Sequence, residues 1–455
     1  MGDLAQIFKA YDVRGTVPDT FTPDIAHRIG AAFARYTEAR QVVLAHDMRP
    51  SSPELVAAFA AGATGQGSDV LAAGLGSTDL LYFASGWLDI PGAMFTASHN
   101  PAQYNGIKMC GAQAAPIGSD SGLAQIRADA ETGLAVGPRT GTVTERDLLS
   151  DYARRLRSLV DLSALRPLRV VVDAGNGMAG HTVPAVLGSR LLEGLPLEII
   201  PLYFELDGRF PNHPADPMDS ANLVDLQEAV RAHGAHVGLA FDGDADRCFV
   251  VDERANPVAP SAVAALVASR ELGREPGATV IHNLITSRAV PEVIREHGGT
   301  PVRTRVGHSF IKARMAETGA IFGGEHSAHY YFREFWGADT GMLAAMHVLA
   351  ALGRQMRPLS ELTAEFSRYA ASGEVNSRVS DPVARTAAVE TAFVDRAGAA
   401  TDHLDGLTVT LADGSWFNLR ASNTEPLLRL NVEAPTVTGM QKLRDEVLAL
   451  VRTEP

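Results

Sequence analysis

Short apolar runs bounded by polar loops alternate along this chain with stretches of helical period. Val42-Val43-Leu44-Ala45 is the first such run and predicts a buried strand. Ser51-Ser52-Pro53-Glu54 reads as a capping box with a proline near the first turn. A helix is therefore expected over Leu55 to Ala63, then a strand near Val70-Leu71-Ala72. The pattern returns at Arg169 to Asp173, a strand running into Ala174-Gly175-Asn176-Gly177, a loop that opens a helix; Ala235 to Phe241 follows as a strand. A third instance has Thr279-Val280-Ile281 as strand, Ser287 to His297 as helix and Pro301 to Val306 as strand. Such alternation predicts parallel sheets covered by helices. The three instances agree in pattern rather than in residues, so internal duplication is only hinted at.

The C-terminal part reads differently. Leu407 to Leu411 and Ser415 to Leu419 predict a hairpin around Asp413-Gly414, Leu427 to Val432 another strand, and Met440 to Val451 a helix. That is an α+β pattern with antiparallel strands. At about 150 residues per domain, 455 residues suggest roughly three domains. Candidate linkers are Gly133 to Gly141, Asp252 to Pro260 and Ser372 to Pro382.

Composition narrows the function. An apolar fraction of 46% and a charged fraction of 20% are those of an ordinary soluble protein. A net charge of -13 argues against nucleic acid as a partner, since phosphate backbones demand a basic surface. Two cysteines, Cys110 and Cys248, make no disulfide framework, and a reducing cytoplasm is expected. Asp3, Lys9, Asp12 and Arg14 stand where a signal peptide carries its apolar run. The apolar stretch from Met342 to Leu352 is too short to span a bilayer, so no membrane partner is expected.

Three polar loops then carry chemistry. Asp242, Asp244 and Asp246 alternate after a strand, and carboxylates so spaced suit a hard divalent cation with sites left for phosphate. Arg247 adds a fixed positive charge. Asp242 to Glu253 also has EF-hand spacing, but Arg247 occupies the position that needs glycine and the flanks are strand-like. In the second loop, Ser98 follows the short strand Ala93 to Thr96 and offers an exposed hydroxyl. Its neighbour His99 should point away from it, as successive side chains do on an extended chain. Asn105-Gly106 is expected to turn the chain so that Lys108 returns toward the loop. The third loop sets Ser422, Asn423 and Thr424 between Arg420 and Pro426, with Arg429 beyond, a donor set for phosphate oxygens or equally a capped turn. A fourth segment, Phe322 to His329, places Glu325 and Ser327 two apart, facing the same way toward sugar hydroxyls.

These residues, with Tyr11-Asp12-Val13-Arg14-Gly15 and Gly307-His308-Ser309 in order, make the chain resemble the α-D-phosphohexomutases, in particular the bacterial phosphomannomutase/phosphoglucomutase branch. The resemblance covers essentially the whole chain. It implies four domains around a central cleft: three similar mixed α/β domains over 1–145, 146–253 and 254–368, and a smaller α+β domain over 369–455. By the same resemblance, Ser98 is the phosphoserine, and Asp242, Asp244 and Asp246 hold Mg²⁺ with an oxygen on Ser98. Arg247, Lys108, Arg14, His99 and His329 supply positive charge and proton transfer. Tyr11, Gly307, His308, Glu325 and Ser327 contact the sugar, while Arg420, Ser422, Asn423, Thr424 and Arg429 hold the distal phosphate. The implied activity interconverts 1- and 6-phosphates of mannose and glucose through a hexose 1,6-bisphosphate. Departures from the family pattern are Ile285 in place of a lysine, with Arg288 nearby, and Ala328 where glycine is common. His326 stands where phosphoglucosamine mutases typically carry Gln. A phosphoglucosamine mutase and a metal-dependent sugar phosphatase remain alternatives.

Overall fold

The computed structural model describes residues 4–421 and 427–453. Among them four sheets form, where chain length suggested three, because the last unit is small. In the first sheet Gly92–Phe95, Gln41–His46, Asp69–Leu75 and Val143–Glu145 run parallel, and Tyr104–Cys110 and Val13–Thr16 add antiparallel on one side. The second sheet sets Leu168–Asp173 between Leu197–Leu202 and Val237–Phe241, all parallel, then adds Cys248–Asp252 and Pro257–Val258 antiparallel. The third repeats the plan. Thr279–Asn283 lies between Thr300–Thr304 and Phe322–Gly324, with Tyr330–Phe332 and Ala338–Asp339 antiparallel beyond.

The duplication hinted at by the sequence is thus plain in the topology. Each sheet has a parallel core that ends in an antiparallel hairpin, and the hairpin loop is a chemical one: 96–103, 242–247 and 325–329. All three leave the C-terminal ends of parallel strands, where α/β sheets place ligand sites. The fourth sheet, Ala370–Arg378, Leu427–Ala434, Trp416–Ala421, Leu407–Thr410 and Ala400–Asp402, is antiparallel throughout. Residues 422–426 connect two of its strands and, with Ser422, Asn423 and Thr424, lie outside the described residues.

Local sequence explains most elements. Thr22 caps Pro23–Thr37 by accepting from the Ile25 amide, and Pro23 opens its first turn. Val170, Val171 and Val172 are all fully buried because helices cover both faces of their sheet. One continuous apolar core joins parts of the first three units, whereas Val389, Phe393, Leu407, Phe417, Leu430 and Val447 belong to a separate core in the C-terminal unit.

Several local expectations fail for tertiary reasons. Ser51 makes no side-chain cap to Ser52–Gly65; the Ser52 hydroxyl is drawn to buried Asp47 at 2.8 Å, and Asn105 donates to both serines. Asn105-Gly106 is no turn. Both lie inside Tyr104–Cys110, where a Cβ on Gly106 would collide with the Val13 carbonyl of the adjacent strand. The candidate linker Asp252 to Pro260 holds a hairpin turn with a short strand, in which the Asp252 carboxylate ties down the amides of Arg254 and Asn256. Ser372 to Arg378 is strand, paired with Leu427–Ala434. No helix among the described residues is long and apolar enough to cross a membrane.

Candidate active site

Ser98 sits at the turn of the first hairpin loop with φ of 50°, a left-handed conformation that costs a non-glycine residue roughly 1–2 kcal/mol. Its amide donates to Thr96 Oγ1 at 2.9 Å, and its hydroxyl donates to Asp242 Oδ2 at 2.7 Å. Contrary to the sequence expectation, His99 does not point away. The left-handed turn swings its Nδ1 to 3.2 Å from Ser98 Oγ. Arg247 Nη2 donates to that same nitrogen at 2.5 Å, and burial followed by this guanidinium pushes His99 down to about 2. His99 is therefore a neutral acceptor.

The three aspartates are buried and their oxygens lie within 4.8 Å of one another. They join strands, not helices, which removes the EF-hand reading. Lys108 donates to Asp244 at 2.7 Å and Asp246 at 2.5 Å, and Arg247 pairs with Asp242 at 2.8 Å. Lys108 reaches them from within its strand, opposite Met94. Burial pushes Asp242 up against the pull of Arg247, with Asp246 and Asp244 adding to the push, as a cluster of carboxylates wanting a further cation does. Burial opposes ionisation of Asp244 too, but Lys108 holds that carboxyl well below its usual range. Three carboxylates thus face two cations, and buried Asp244 Oδ1 and Asp246 Oδ1 have no hydrogen-bond partner among the described residues. An all-oxygen set short of positive charge fits a divalent cation.

The loops are stitched together across units. Thr78, at the start of Thr78–Leu88 in the first unit, donates from its amide to the Asp244 carbonyl at 3.0 Å and from its hydroxyl to Asp244 Oδ2 at 2.6 Å. Arg247 and His329 form a backbone bridge between the second and third loops. Arg14 reaches Asn100 Oδ1 at 2.6 Å and Asp12 at 2.5 Å, tying the N-terminal strand to the Ser98 loop.

The third loop gathers the expected sugar contacts. Glu325 accepts from the Gly307 amide at 3.1 Å, from Tyr331 at 2.9 Å and from Ser327 at 3.4 Å. Ser327 Oγ lies 2.9 Å from His329 Nδ1, and His329 Nε2 lies 3.7 Å from Asp246. The Tyr11 ring meets His308 edge-on at 4.3 Å. Ala328 has φ of 65°, which explains why glycine would suit that position. Ile285 is buried beside Trp416 and Glu433 of the C-terminal unit. Arg288 is taken up there as well: its guanidinium donates to the Gly414 carbonyl and its amide to Glu433.

In the C-terminal unit Arg420 and Arg429 face each other across paired strands. They share Glu374 at 3.7 and 3.6 Å, and Arg420 lies 3.6 Å from Asp405. Arg420 Nη1 and Arg429 Nε are buried without hydrogen-bond partners among the described residues, which leaves donors for an anion.

Sequence reasoning missed four contributors. Thr78 is one. Asp216, 3.8 Å from Arg247, lies in the Pro-rich segment Phe210 to Pro217, which was legible as an unusual loop. Arg49 and Asp47, under the Ser98 loop, lie just before the Ser51 to Glu54 stretch that was read as a helix cap.

Known proteins resemble this chain in sequence and fold. Sequence models of the phosphoglucomutase/phosphomannomutase family match the chain four times: alpha/beta/alpha domain I over 5–135, domain II over 150–255, domain III over 259–369 and the C-terminal domain over 374–450. A phosphohexose mutase of Xanthomonas campestris is 42% identical over 447 residues, covering 97% of this chain and 98% of that one. A phosphomannomutase of Escherichia coli is 38% identical over 453 residues, covering 98% and 99%. The crystal structure of a phosphoglucomutase/phosphomannomutase family protein from Burkholderia thailandensis superposes with a TM-score of 0.87 at 33% identity, covering 98% and 97%. With four domains matched in order over nearly its whole length, the chain belongs to the phosphoglucomutase/phosphomannomutase family.

Proposed function

We propose that the protein reversibly interconverts the 1- and 6-phosphates of hexoses, mannose and glucose among them, through a phosphoserine at Ser98 and a hexose 1,6-bisphosphate. The observation that carries this is the convergence on one serine oxygen: Asp242 at 2.7 Å, Arg247 at 3.4 Å and neutral His99 at 3.2 Å. A hydroxyl so placed can carry a doubly charged phosphoryl group with a guanidinium against it.

Asp242, Asp244 and Asp246, with an oxygen on Ser98, would hold Mg²⁺, which would neutralise phosphoryl charge when bound. The chain's own residues do the rest. Arg247, buried and fixed by Asp242, stabilises charge on the transferred group, and Lys108 and Arg14 add to the positive field. Tyr11, Gly307, His308, Glu325 and Ser327 orient the sugar so that one hydroxyl faces the phosphoserine. That hydroxyl attacks phosphorus and gives its proton to His329; a P–O bond to the sugar forms as the P–O bond to Ser98 breaks, the released Ser98 oxygen takes a proton from solvent, and His329 returns its own to solvent. The bisphosphate turns over, and its other phosphate returns to Ser98 by the reverse chemistry. Arg420, Arg429, Ser422, Asn423 and Thr424 grip whichever phosphate is distal. Turning over needs room. The separate core of the C-terminal unit supports movement of that unit against the other three. Two buried, unpaired cysteines accord with a cytoplasmic setting.

The test is a mutase assay on mannose, glucose and glucosamine 1-phosphates with Mg²⁺ and trace bisphosphate, with intact mass followed before and after bisphosphate. Turnover of mannose and glucose phosphates with one added phosphate on Ser98 is expected. Preference for the glucosamine ester would favour the phosphoglucosamine alternative, and net release of inorganic phosphate would favour a phosphatase.

A further inference from the structure

We propose that Arg49 is a positioning residue for the phosphoryl transfer, holding Ser98 in its reacting conformation through the backbone of its loop. The inference rests on Ser98 being the phosphoryl carrier. Arg49 follows the strand Gln41–His46 and is 1% exposed, the largest fully buried side chain described. Its guanidinium has five N–H donors, and all five are used. Nε donates to Asp47 at 3.1 Å. Nη1 donates to the carbonyls of Pro101 and Tyr104, both at 2.8 Å, and Nη2 to those of Ser98 at 2.9 Å and Asn100 at 2.7 Å.

Four of these five acceptors are main-chain oxygens of the single segment 98–104. A planar fork binding four carbonyls of one loop leaves that loop a single conformation. The conformation needs such support. Ser98 is left-handed at φ 50°, and a strained residue persists where its surroundings over-determine it. The second unit closes over the anchor: the Phe210 ring lies 5.2 Å from the Arg49 guanidinium, and a Cβ on Gly208 would come within 2.6 Å of Arg49 Cα. Asp47 is held in turn by Ser52 at 2.8 Å and by the Arg49 amide at 3.0 Å. Among the described residues, Arg49 donates its hydrogen bonds only to Asp47 and to the Ser98 loop; Asp244 of the cradle feels its charge, which lysine keeps, so what lysine loses is the hold on the Ser98 backbone.

Lysine keeps the charge at this position but is a point donor that cannot span four carbonyls. Arg49→Lys should therefore lower kcat about 100-fold, the order expected when a reacting group is displaced by about 1 Å. Phosphorylation of Ser98 by glucose 1,6-bisphosphate, followed by intact mass, should slow by a similar factor. The KM for sugar phosphate, and its Kd measured by calorimetry on the dephosphorylated enzyme, should change less than about threefold, because the sugar and distal phosphate contacts lie elsewhere. Should Arg49→Lys fail to fold, Asp47→Asn, nearly isosteric and loosening the same anchor, carries the same readouts. A variant that phosphorylates and turns over within threefold of the native enzyme overturns the role of Arg49, as does a loss shared equally by kcat and sugar-phosphate affinity. A native enzyme that never takes up a phosphoryl group on Ser98 overturns the phosphoserine reading and, with it, this one.

Discussion

Ser98 Oγ and Asp242 Oδ2 lie 2.7 Å apart although 144 positions of chain separate them. The contact joins the hairpin loop of one sheet to the equivalent loop of the next. A Cβ on Gly243 would strike the Ser98 carbonyl, so the two loops can approach this closely only with glycine there. The nucleophile and the carboxylate cradle are therefore one unit built from two repeats.

Removing the Ser98 hydroxyl separates a mutase from a phosphatase. Ser98→Ala should lower mutase turnover by at least about 1,000-fold, as loss of a covalent carrier does. It should also abolish the mass increase on adding bisphosphate. Turnover that survives the substitution would point to an aspartate or water nucleophile.

The cradle is short of positive charge, so Mg²⁺ should stabilise the fold as well as support activity. At free ion 100 times above its Kd, binding to the native state adds about 2.7 kcal/mol. The thermal midpoint should rise with Mg²⁺ and fall back with chelator. In Asp242→Asn the rise should vanish, and an undiminished rise there would place the ion elsewhere.

Among the described residues, Arg420 offers a donor without a hydrogen-bond partner and has carboxylates no nearer than 3.6 Å. Arg420→Ala should raise KM about 10- to 100-fold, the value of a charged hydrogen bond to phosphate at about 1.5–3 kcal/mol. The concentration of Mg²⁺ needed for half-maximal rate should stay unchanged. An unaltered KM would take this arginine out of the phosphate grip.

Asp79 is fully buried and accepts hydrogen bonds from Tyr152 at 2.8 Å, Thr340 at 2.7 Å and Ser77. Burial pushes its carboxyl from 3.8 up to about 6, against the pull of those hydroxyls. The folded state thus binds this proton more tightly than the unfolded chain. The contribution to stability is fully present below pH 3.8 and is lost as pH rises through about 6, a change of about 3 kcal/mol at 1.36 kcal/mol per unit. Asp79→Asn cannot titrate. In paired melts from about pH 4 to about pH 7, the difference in midpoint should move steadily in favour of the variant. A constant difference would mean that Asp79 does not titrate in this range.

The chemical groups were readable before any fold was known because each set is contiguous. Three aspartates at alternate positions, a serine at a strand end and a Glu–Ser pair two apart keep their relations on any hairpin loop, as strand geometry is local. The alternation of strands and helices was equally legible, since burial on both sheet faces writes apolar runs such as Val170 to Val172 into the chain. What stayed hidden were partnerships made across long separations. Ser51 accepted from Asn105 rather than cap its helix, Asn105-Gly106 became strand under Val13, and His99 came round to Ser98 through a left-handed turn. Arg49 is the extreme case: nothing near it in the chain says that it will be buried with four carbonyls of a loop some fifty residues away. Buried polar groups must find partners wherever packing brings them, so their roles are settled by the assembled fold.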